Sequence, residues 1–252
     1  GNLGLTSNPD TGTVGSPATY NGALAVASIN GVETPYLLHG ESIIYFLESS
    51  NGAAEENDFC ETLLGNQDKV EVVGMPVRKE FVQTSKAAAR AELGLDNRPL
   101  VVSAFGSLGA RAMNFAMADF MKLESDASMP FQHIHATGSY GWEWMPRHLK
   151  EQGVDVENCS GLDVREYIYN MPTVMAAADV IISRAGASTL NEIGASGTPC
   201  ILIPSPNVTN DHQTKNAKVL ADRGGAVLLP EGENMGQKLY DAVTQLLGDP
   251  QR

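Results

Sequence analysis

From about residue 70 onward, short apolar runs alternate with segments whose apolar residues recur at helical spacing. The runs are unbroken, as Leu100-Val101-Val102 and Val180-Ile181-Ile182 illustrate, which is typical of parallel strands buried on both faces. They predict strands at 70–73, 100–105, 132–136, 180–183, 200–203 and 226–229. Helices are predicted at 85–93, 111–123, 142–152, 174–178, 189–196 and 213–222. This alternation indicates an α/β fold with a parallel, Rossmann-like sheet.

The first 70 residues have a less regular pattern. A Gly-rich turn at 12–17 precedes a helix-like stretch at 22–29 and an apolar strand, Tyr36-Leu37-Leu38, with a further short apolar run after Glu41. Two or three strands are too few for an independent doubly wound sheet. We therefore predict two domains: an incomplete first domain with its hinge at 1–78, and a complete Rossmann-like domain at 79–252.

The net charge of the chain indicates which kinds of partner it is suited to bind. The 252 residues include 30 acidic and 17 basic side chains, a formal net charge of −13. This excess argues against nucleic acid as a partner, because phosphate backbones attract Lys and Arg. Nine of the acidic residues and a single basic residue lie in 1–70, which is more typical of a solvated surface than of a site.

The cysteines and the hydropathy add two expectations. Cys60, Cys159 and Cys200 show no CxxC spacing, so we expect reduced thiols in a cytoplasmic protein and no metal site. No stretch approaches the roughly 20 apolar residues of a membrane span. Because the chain opens on glycine rather than methionine, we expect a processed or partial sequence.

Two Gly-containing loops follow predicted strands and open predicted helices. The first is FGSLGAR at 105–111, and the second is SRAGASTLNE at 183–192. Glycine lets the backbone approach a ligand, and a helix N-terminus attracts an anion. Tight turn geometry explains the first loop equally well, whereas the second loop is the stronger signal. Because ligands of open α/β sheets bind at the carboxyl ends of the strands, we expect both loops to face one crevice. Two such loops suit a diphosphate.

Other polar residues have a structural interpretation from spacing alone. Thr189 and Glu192 fit a capping box, in which the glutamate bonds back to the helix N-cap, although Glu192 could instead accept hydrogen bonds from ribose hydroxyls. The loop PSPNVTNDHQ at 204–213 has the composition of an ordinary turn. His133 and His135 are interpreted as strand residues.

Five segments, covering roughly residues 70–230, resemble signature segments of the MurG family, which is part of glycosyltransferase family 28. In order along the chain they are VGMPVR at 73–78, SLGAR at 107–111, YIYNM at 167–171 with AAAD at 176–179, SRAGASTLNE at 183–192, and DHQTKNA at 211–217. The resemblance implies a GT-B fold of two Rossmann-like domains and an inverting reaction that needs neither metal nor cofactor. It implies transfer of N-acetylglucosamine from UDP-N-acetylglucosamine to lipid I, which gives lipid II in peptidoglycan synthesis.

The resemblance also implies a set of substrate-binding residues. Ile168 and Met171 would flank the uracil, and Glu192 would hold the ribose rather than cap the helix. Gln213 would bind the sugar hydroxyls, and Arg78 would approach the donor from the hinge. The full set is Arg78, Gly106, Ser107, Gly109, Ile168, Met171, Arg184, Gly186, Ala187, Ser188, Thr189, Glu192 and Gln213.

The diphosphate would lie between the two Gly-containing loops. Ser107 and the backbone N–H groups at 187–189 would bind it, and catalysis would consist of positioning the substrates and stabilising the departing UDP. The resemblance identifies no catalytic base in this chain.

The first domain carries the largest departure from the family. The family's opening Gly-Gly-Thr-Gly-Gly-His loop has no counterpart, and HGES at 39–42 only partly matches its His-Glu-x-Asn segment. An alternative function is therefore a module that binds UDP-N-acetylglucosamine and needs a separate acceptor domain. The resemblance further implies a peripheral protein on the cytoplasmic face of the bacterial plasma membrane, touching it through the incomplete first domain. A Rossmann dehydrogenase is excluded, because no GxGxxG follows a strand with an acidic residue about 20 positions on.

Overall fold

The computed structural model describes residues 77–208 and 211–249 and, within the first 76 residues, two strands. These are β1 (Thr34–Leu38) and β2 (Ser42–Phe46), which pair antiparallel with Thr34 opposite Phe46. β1 contains the strand predicted at 36–38, whereas the helix predicted at 22–29 and the strand predicted at 70–73 lie outside the described residues. The chain divides into two compact units, Gly1–Gly74 and Met75–Arg252.

The second unit is built on a parallel sheet of six strands, in the spatial order β5-β4-β3-β6-β7-β8. The chain runs outward from β3 to β5, returns beside β3 with β6, and continues to β8. The order therefore reverses between β3 and β6, and connections leave these two strands to opposite faces, which opens a crevice at their carboxyl ends. The strands are β3 (Leu100–Ala104), β4 (Gln132–Ala136), β5 (Leu162–Arg165), β6 (Val180–Ser183), β7 (Cys200–Leu202) and β8 (Ala226–Leu228).

Helices cover both faces of this sheet. Val101 on β3 packs into one core cluster and its neighbours Leu100 and Val102 into the other, which explains why the strands are unbroken apolar runs. No helix in the described part of the chain is long and apolar enough to cross a membrane. The helices are α1 (Glu80–Gln83), α2 (Lys86–Glu92), α3 (Arg111–Asp126), α4 (Ser139–Trp142), α5 (Met145–Glu151), α6 (Met171–Ala177), α7 (Ala187–Ser196), α8 (His212–Ala221) and α9 (Met235–Gly248).

The strand predictions from 100 onward are confirmed to within one residue at each end, and the predicted α/β class is confirmed with them. Four helix predictions need correction. The helix predicted at 111–123 continues to Asp126 as α3. The helix predicted at 142–152 is two helices, α4 and α5, and the second begins with Pro146 in its first turn. The helix predicted at 174–178 begins earlier, at Met171, with Pro172 in the first turn. Proline favours the first turn of a helix because its missing N–H has no partner there. α7 also begins two residues before the predicted start at 189.

Three elements of the second unit are not predicted from the pattern, namely α1, β5 and α9. β5 is an edge strand whose residues alternate between buried and half-buried, with Asp163 and Arg165 paired side by side, so it lacks an unbroken apolar run. α9 does carry a helical signal, because Met235, Leu239 and Val243 are buried at four-residue spacing.

The described residues include two of the three cysteines, both as free thiols. Cys200 is buried at the start of β7, and burial raises the pKa of its thiol to about 12. Among the described residues no group of three or more His, Cys, Asp or Glu side chains could hold a metal ion.

Candidate functional site

A cleft of about 360 Å³ opens at the carboxyl ends of β3, β4 and β6. Its floor includes the last residues of these strands, Ala104, Ala136 and Ser183. This is the crevice expected where the strand order reverses. The predicted site residues that line it are Arg78, Gly106, Ser107, Ile168, Met171, Thr189 and Glu192. The prediction that the two Gly-containing loops face one crevice is therefore confirmed.

The loop between β3 and α3 depends on glycine at two positions for different reasons. Gly106 has φ +88, and a Cβ there would have open space around it, so this glycine lets the loop turn beside the cleft. Gly109 has φ +78, and its Cβ would lie 2.0 Å from the carbonyl oxygen of Thr137. Gly109 therefore allows the loops after β3 and β4 to approach each other, and it does not line the cleft.

The second loop leads from β6 into α7. Gly186 is the N-cap of α7, and no side chain caps this helix end. The first amides of a helix have no acceptor within the helix, so the N-terminus beside the cleft carries a partial positive charge. Thr189, in the first turn, lines the cleft, whereas Gly186, Ala187 and Ser188 do not appear in its wall.

The capping-box interpretation of Glu192 is wrong. Thr189 is the third residue of α7 rather than its N-cap, so Glu192 lies too far along the helix to reach the N-cap amide. The Glu192 carboxyl instead lines the cleft, where burial raises its pKa and the nearby Arg78 guanidinium opposes that rise. Arg78 is held 5.1 Å above the ring of Phe81.

Aromatic side chains between β5 and α6 form one wall of the cleft. Ile168 is buried in the core, whereas Tyr167 and Tyr169 on either side of it are exposed and line the cleft. The two rings meet edge to face, with centroids 5.0 Å apart. These tyrosines are absent from the predicted site. Their alternation around a buried Ile was the signal that could have revealed them.

Arg184 and Gln213 are among the predicted residues that do not line the cleft. The Arg184 guanidinium donates to the carbonyl oxygens of Ile203 and Pro204 at 3.1 Å and forms an ion pair with Glu231. Gln213 Oε1 accepts from the Ser205 amide at 2.9 Å. Both side chains brace the segment that follows β7, of which residues 209 and 210 lie outside the described part.

Asp179 belongs to one of the segments that resemble the family, but it lies at the other end of the strands from the cleft, where β3 and β6 begin. Its carboxylate accepts from the Leu100 amide at 2.8 Å, from Lys86 Nζ at 2.7 Å and from Arg90 at 3.2 Å. These contacts fasten α2 to the start of β3. The sequence similarity around Asp179 is therefore explained by packing rather than by a ligand.

A comparison with family models identifies residues 100–252 as a glycosyltransferase family 28 C-terminal domain. The match covers the sheet from β3 onward, with both Gly-containing loops. The chain belongs to glycosyltransferase family 28.

This chain is similar to relatives that are named UDP-N-acetylglucosamine--N-acetylmuramyl-(pentapeptide) pyrophosphoryl-undecaprenol N-acetylglucosamine transferase. The protein from Desulforamulus reducens is 39% identical over 189 residues, which cover 75% of this chain and 50% of the relative. The protein from Thermoanaerobacter sp. (strain X514) is 40% identical over 187 residues, covering 74% of this chain and 50% of the relative. The chain thus spans about half the length of the curated relatives it matches.

Solved structures agree on the fold. The crystal structure of Acinetobacter baumannii MurG matches with a TM-score of 0.52 at 24% identity, over 71% of this chain and 49% of that one. Anabaena HepE, solved in complex with UDP and glucose, matches with a TM-score of 0.50 at 17% identity, over 74% of this chain and 49% of that one. The predicted GT-B type of α/β fold is confirmed for the sheet domain of this family member.

Proposed function

We propose that the cleft binds UDP-N-acetylglucosamine and that the protein of which this chain is part transfers N-acetylglucosamine from it to lipid I, forming lipid II. The observation that carries the proposal is the convergence of two Gly-containing loops and the Glu192 carboxyl on one cleft. The names of the relatives supply the identity of donor and acceptor.

In the proposed complex the nucleoside lies between the aromatic wall and α7. The exposed faces of Tyr167 and Tyr169 offer apolar surface beside Met171, and the uracil edge meets the backbone at Ile168. The Glu192 carboxylate accepts hydrogen bonds from the ribose hydroxyls. A carboxylate is a strong acceptor for this purpose because charge-assisted hydrogen bonds are about twice as strong as neutral ones.

The diphosphate lies where the loops meet, between Ser107 and the N-terminus of α7. The helix dipole and the exposed backbone of the Gly106–Ser107 turn stabilise the negative charge that grows on UDP as its bond to the sugar breaks. Arg78 faces the same charge from the other side. The sugar extends toward Gln213, with Arg184 and Gly109 keeping the surrounding loops in place. The acceptor hydroxyl attacks the sugar carbon from the opposite face, and we assign no base to that step.

The remaining predictions concern the whole protein. We propose that residues 1–78 comprise part of an acceptor-side domain and the hinge, which includes Arg78, and that residues 79–252 form the donor-binding domain. We also propose that the protein lies on the cytoplasmic face of the bacterial plasma membrane and contacts it through the first domain. The names of the relatives favour this transferase over a donor-binding module that depends on a separate acceptor domain, and the transfer assay below separates the two.

Calorimetric titration of the chain with UDP-N-acetylglucosamine tests the donor site. Glu192→Ala should weaken binding by roughly 10- to 100-fold, because two hydrogen bonds to a charged acceptor are lost. Its melting temperature should stay close to that of the unchanged protein, since Glu192 caps no helix. Asn191→Ala is the matched control: its amide donates only to the Ala187 carbonyl on the same helix, so donor affinity should be kept.

Transfer is measured in the same samples with radiolabelled donor and a short-chain lipid I analogue. Binding together with transfer supports the full proposal, and binding without transfer supports the donor-module alternative. Equal donor affinity in Glu192→Ala and the unchanged protein, or no donor binding at all, would remove the proposed site.

A further inference from the structure

One ion pair connects the loop that enters α7 with the loop that follows β8. Arg184 is the first residue after β6, and Glu231 lies between β8 and α9. Arg184 Nη2 lies 2.6 Å from Glu231 Oε2, and the two side chains are only 15% and 22% exposed. Because both groups are largely shielded from water, salt and solvent screen their attraction less than they screen that of a surface pair.

Glu231 holds Arg184 by its charge rather than by a hydrogen bond. Glu231 Oε2 has no hydrogen-bond partner among the described residues, although it lies close to the guanidinium. The Arg184 guanidinium directs its hydrogen bonds elsewhere: Nη1 donates to the carbonyl oxygens of Ile203 and Pro204, both at 3.1 Å. The carboxylate on one side of the guanidinium therefore keeps it in the orientation from which Nη1 reaches the segment after β7.

The start of α8 is joined to the loops on either side of β7. Gln213 Oε1 accepts from the Ser205 amide at 2.9 Å, and Asn216 Nδ2 donates to the Ala185 carbonyl oxygen at 3.2 Å. Gln213 and Asn216 belong to α8, whereas Ala185 lies in the loop that enters α7. The loops after β6 and β7 and the first turns of α8 are therefore connected, and the ion pair adds the loop after β8 to them.

We propose that Glu231 is a positioning residue for the sugar half of the donor. Glu231 does not line the cleft; it acts through Arg184, whose hydrogen bonds fix the segment that leads to Gln213. The role rests on the proposed function, in which the N-acetylglucosamine extends toward Gln213, and it adds the loop after β8 to the elements that shape the donor site.

The effect of Glu231 should be confined to the sugar. In the proposed complex the nucleoside and the diphosphate meet the aromatic wall, Ser107 and the start of α7, whereas the sugar meets the segment that Arg184 braces. A side chain without ligand contact changes affinity when it fixes an element that does contact the ligand. Loss of the Glu231 charge therefore alters the sugar contacts and leaves the nucleotide contacts in place.

Two calorimetric titrations of the full chain separate the sugar contacts from the nucleotide contacts. One gives the Kd for UDP-N-acetylglucosamine and the other the Kd for UDP, which lacks the sugar. Glu231→Gln removes the charge and nearly keeps the shape of the side chain. It should weaken binding of UDP-N-acetylglucosamine by roughly three- to tenfold and change UDP binding by less than about twofold. A role limited to stability would lower the melting temperature and leave the ratio of the two dissociation constants unchanged.

Arg184→Gln and the double variant Arg184→Gln, Glu231→Gln show whether Glu231 acts through Arg184. The double variant should change the ratio no more than Arg184→Gln alone, because residues that act as one unit are not additive. It leaves no buried charge unpaired, so it can be compared with Arg184→Gln even if Glu231→Gln does not fold. Glu233→Gln is the matched control: Glu233 is an exposed carboxylate in the same loop, and both dissociation constants should be kept.

The outcomes separate this role of Glu231 from the proposed function. An unchanged ratio in Glu231→Gln, or a double variant in which the effects of the two single variants multiply, would overturn the positioning role and leave the donor site intact. Equal weakening of both ligands in Glu231→Gln would overturn it as well. Glu192→Ala gives the contrast, because the ribose is common to both ligands and both should weaken. A chain that binds neither ligand would remove the proposed function and the positioning role together.

Discussion

Four polar side chains form a continuous hydrogen-bonded chain inside the core. His133 Nδ1 lies 2.9 Å from Glu124 Oε2, and Ser103 Oγ lies 2.7 Å from His133 Nε2 and 2.7 Å from His135 Nδ1. All four residues are fully buried. His135 Nε2 and Glu124 Oε1 have no hydrogen-bond partner, so both ends of the chain carry an unsatisfied polar atom, which costs stability.

Burial disfavours the charged form at both ends of this hydrogen-bonded chain, so it shifts the pKa of the imidazole down and the pKa of the carboxyl up. It lowers the pKa of His135 from 6.5 to about 3, with a further lowering by His133 and an opposing hydrogen bond from Ser103. It raises the pKa of Glu124, although His133 opposes that rise. The folded state thus favours a neutral imidazole at 135.

The His135 imidazole should make stability depend on pH. Because its pKa is lower when folded than when unfolded, its stabilising effect is complete above about pH 6.5 and is lost as the pH falls toward 3. Between pH 7 and pH 5 the loss should be about 2 kcal/mol of unfolding free energy. In His135→Gln the difference between urea unfolding at the two pH values should shrink by that amount. A variant that keeps the full difference would contradict the assignment. The raised pKa of Glu124 changes the unfolding free energy with pH in the opposite direction, and it does so in both proteins.

At the scale of elements, close packing of α9 on α3 depends on one glycine. A Cβ on Gly236 would lie 2.6 Å from Asp119 Cβ and 2.9 Å from the Ala116 carbonyl oxygen, both on α3. The atoms in the way are Cβ and backbone, which cannot rotate aside. The missing side chain therefore lets Leu239 and Val243 reach the core on this face of the sheet.

Gly236→Ala should lower the unfolding free energy by about 1–3 kcal/mol, the usual cost of overpacking. Gly194→Ala is the control, because Gly194 is also helical but has open space around a Cβ; it should be neutral or stabilise the protein by up to about 1 kcal/mol. Urea unfolding of the two variants gives the comparison. Equal effects would show that helix propensity, and not the α9–α3 contact, governs position 236.

At the scale of the molecule, the cleft and both core clusters lie within one of the two compact units. Every residue that lines the cleft, from Arg78 to Glu192, falls in Met75–Arg252. The six-stranded sheet is buried on both faces by helices of the same unit. This unit therefore contains both core clusters and every residue that lines the proposed donor cleft.

A fragment comprising residues 75–252 should unfold cooperatively and bind UDP-N-acetylglucosamine within about threefold of the affinity of the full chain. The measurement is thermal unfolding followed by calorimetric titration. A fragment that folds but loses more than tenfold in affinity would show that residues 1–74 contribute to the donor site. Transfer to a lipid I analogue is not expected from this fragment.

The sequence by itself determined five of the six strands of the parallel sheet, the two loops and the family. A strand covered on both faces must be apolar throughout, so β3, β6 and β7 are visible as unbroken runs, and glycines mark the turns that need them. An edge strand such as β5 escapes this argument, because one of its faces stays polar. Local composition was therefore sufficient for most elements of the second unit.

Only the tertiary structure decided what the side chains near the site contact. Spacing left Glu192 open between a cap and a ligand, and the start of α7 at Ala187 removes the cap. Arg184 and Gln213 form hydrogen bonds with the segment after β7, and Asp179 forms one with the start of β3, away from the cleft. Such contacts join residues distant along the chain, so they depend on strand order and on how closely loops approach, which no local pattern encodes.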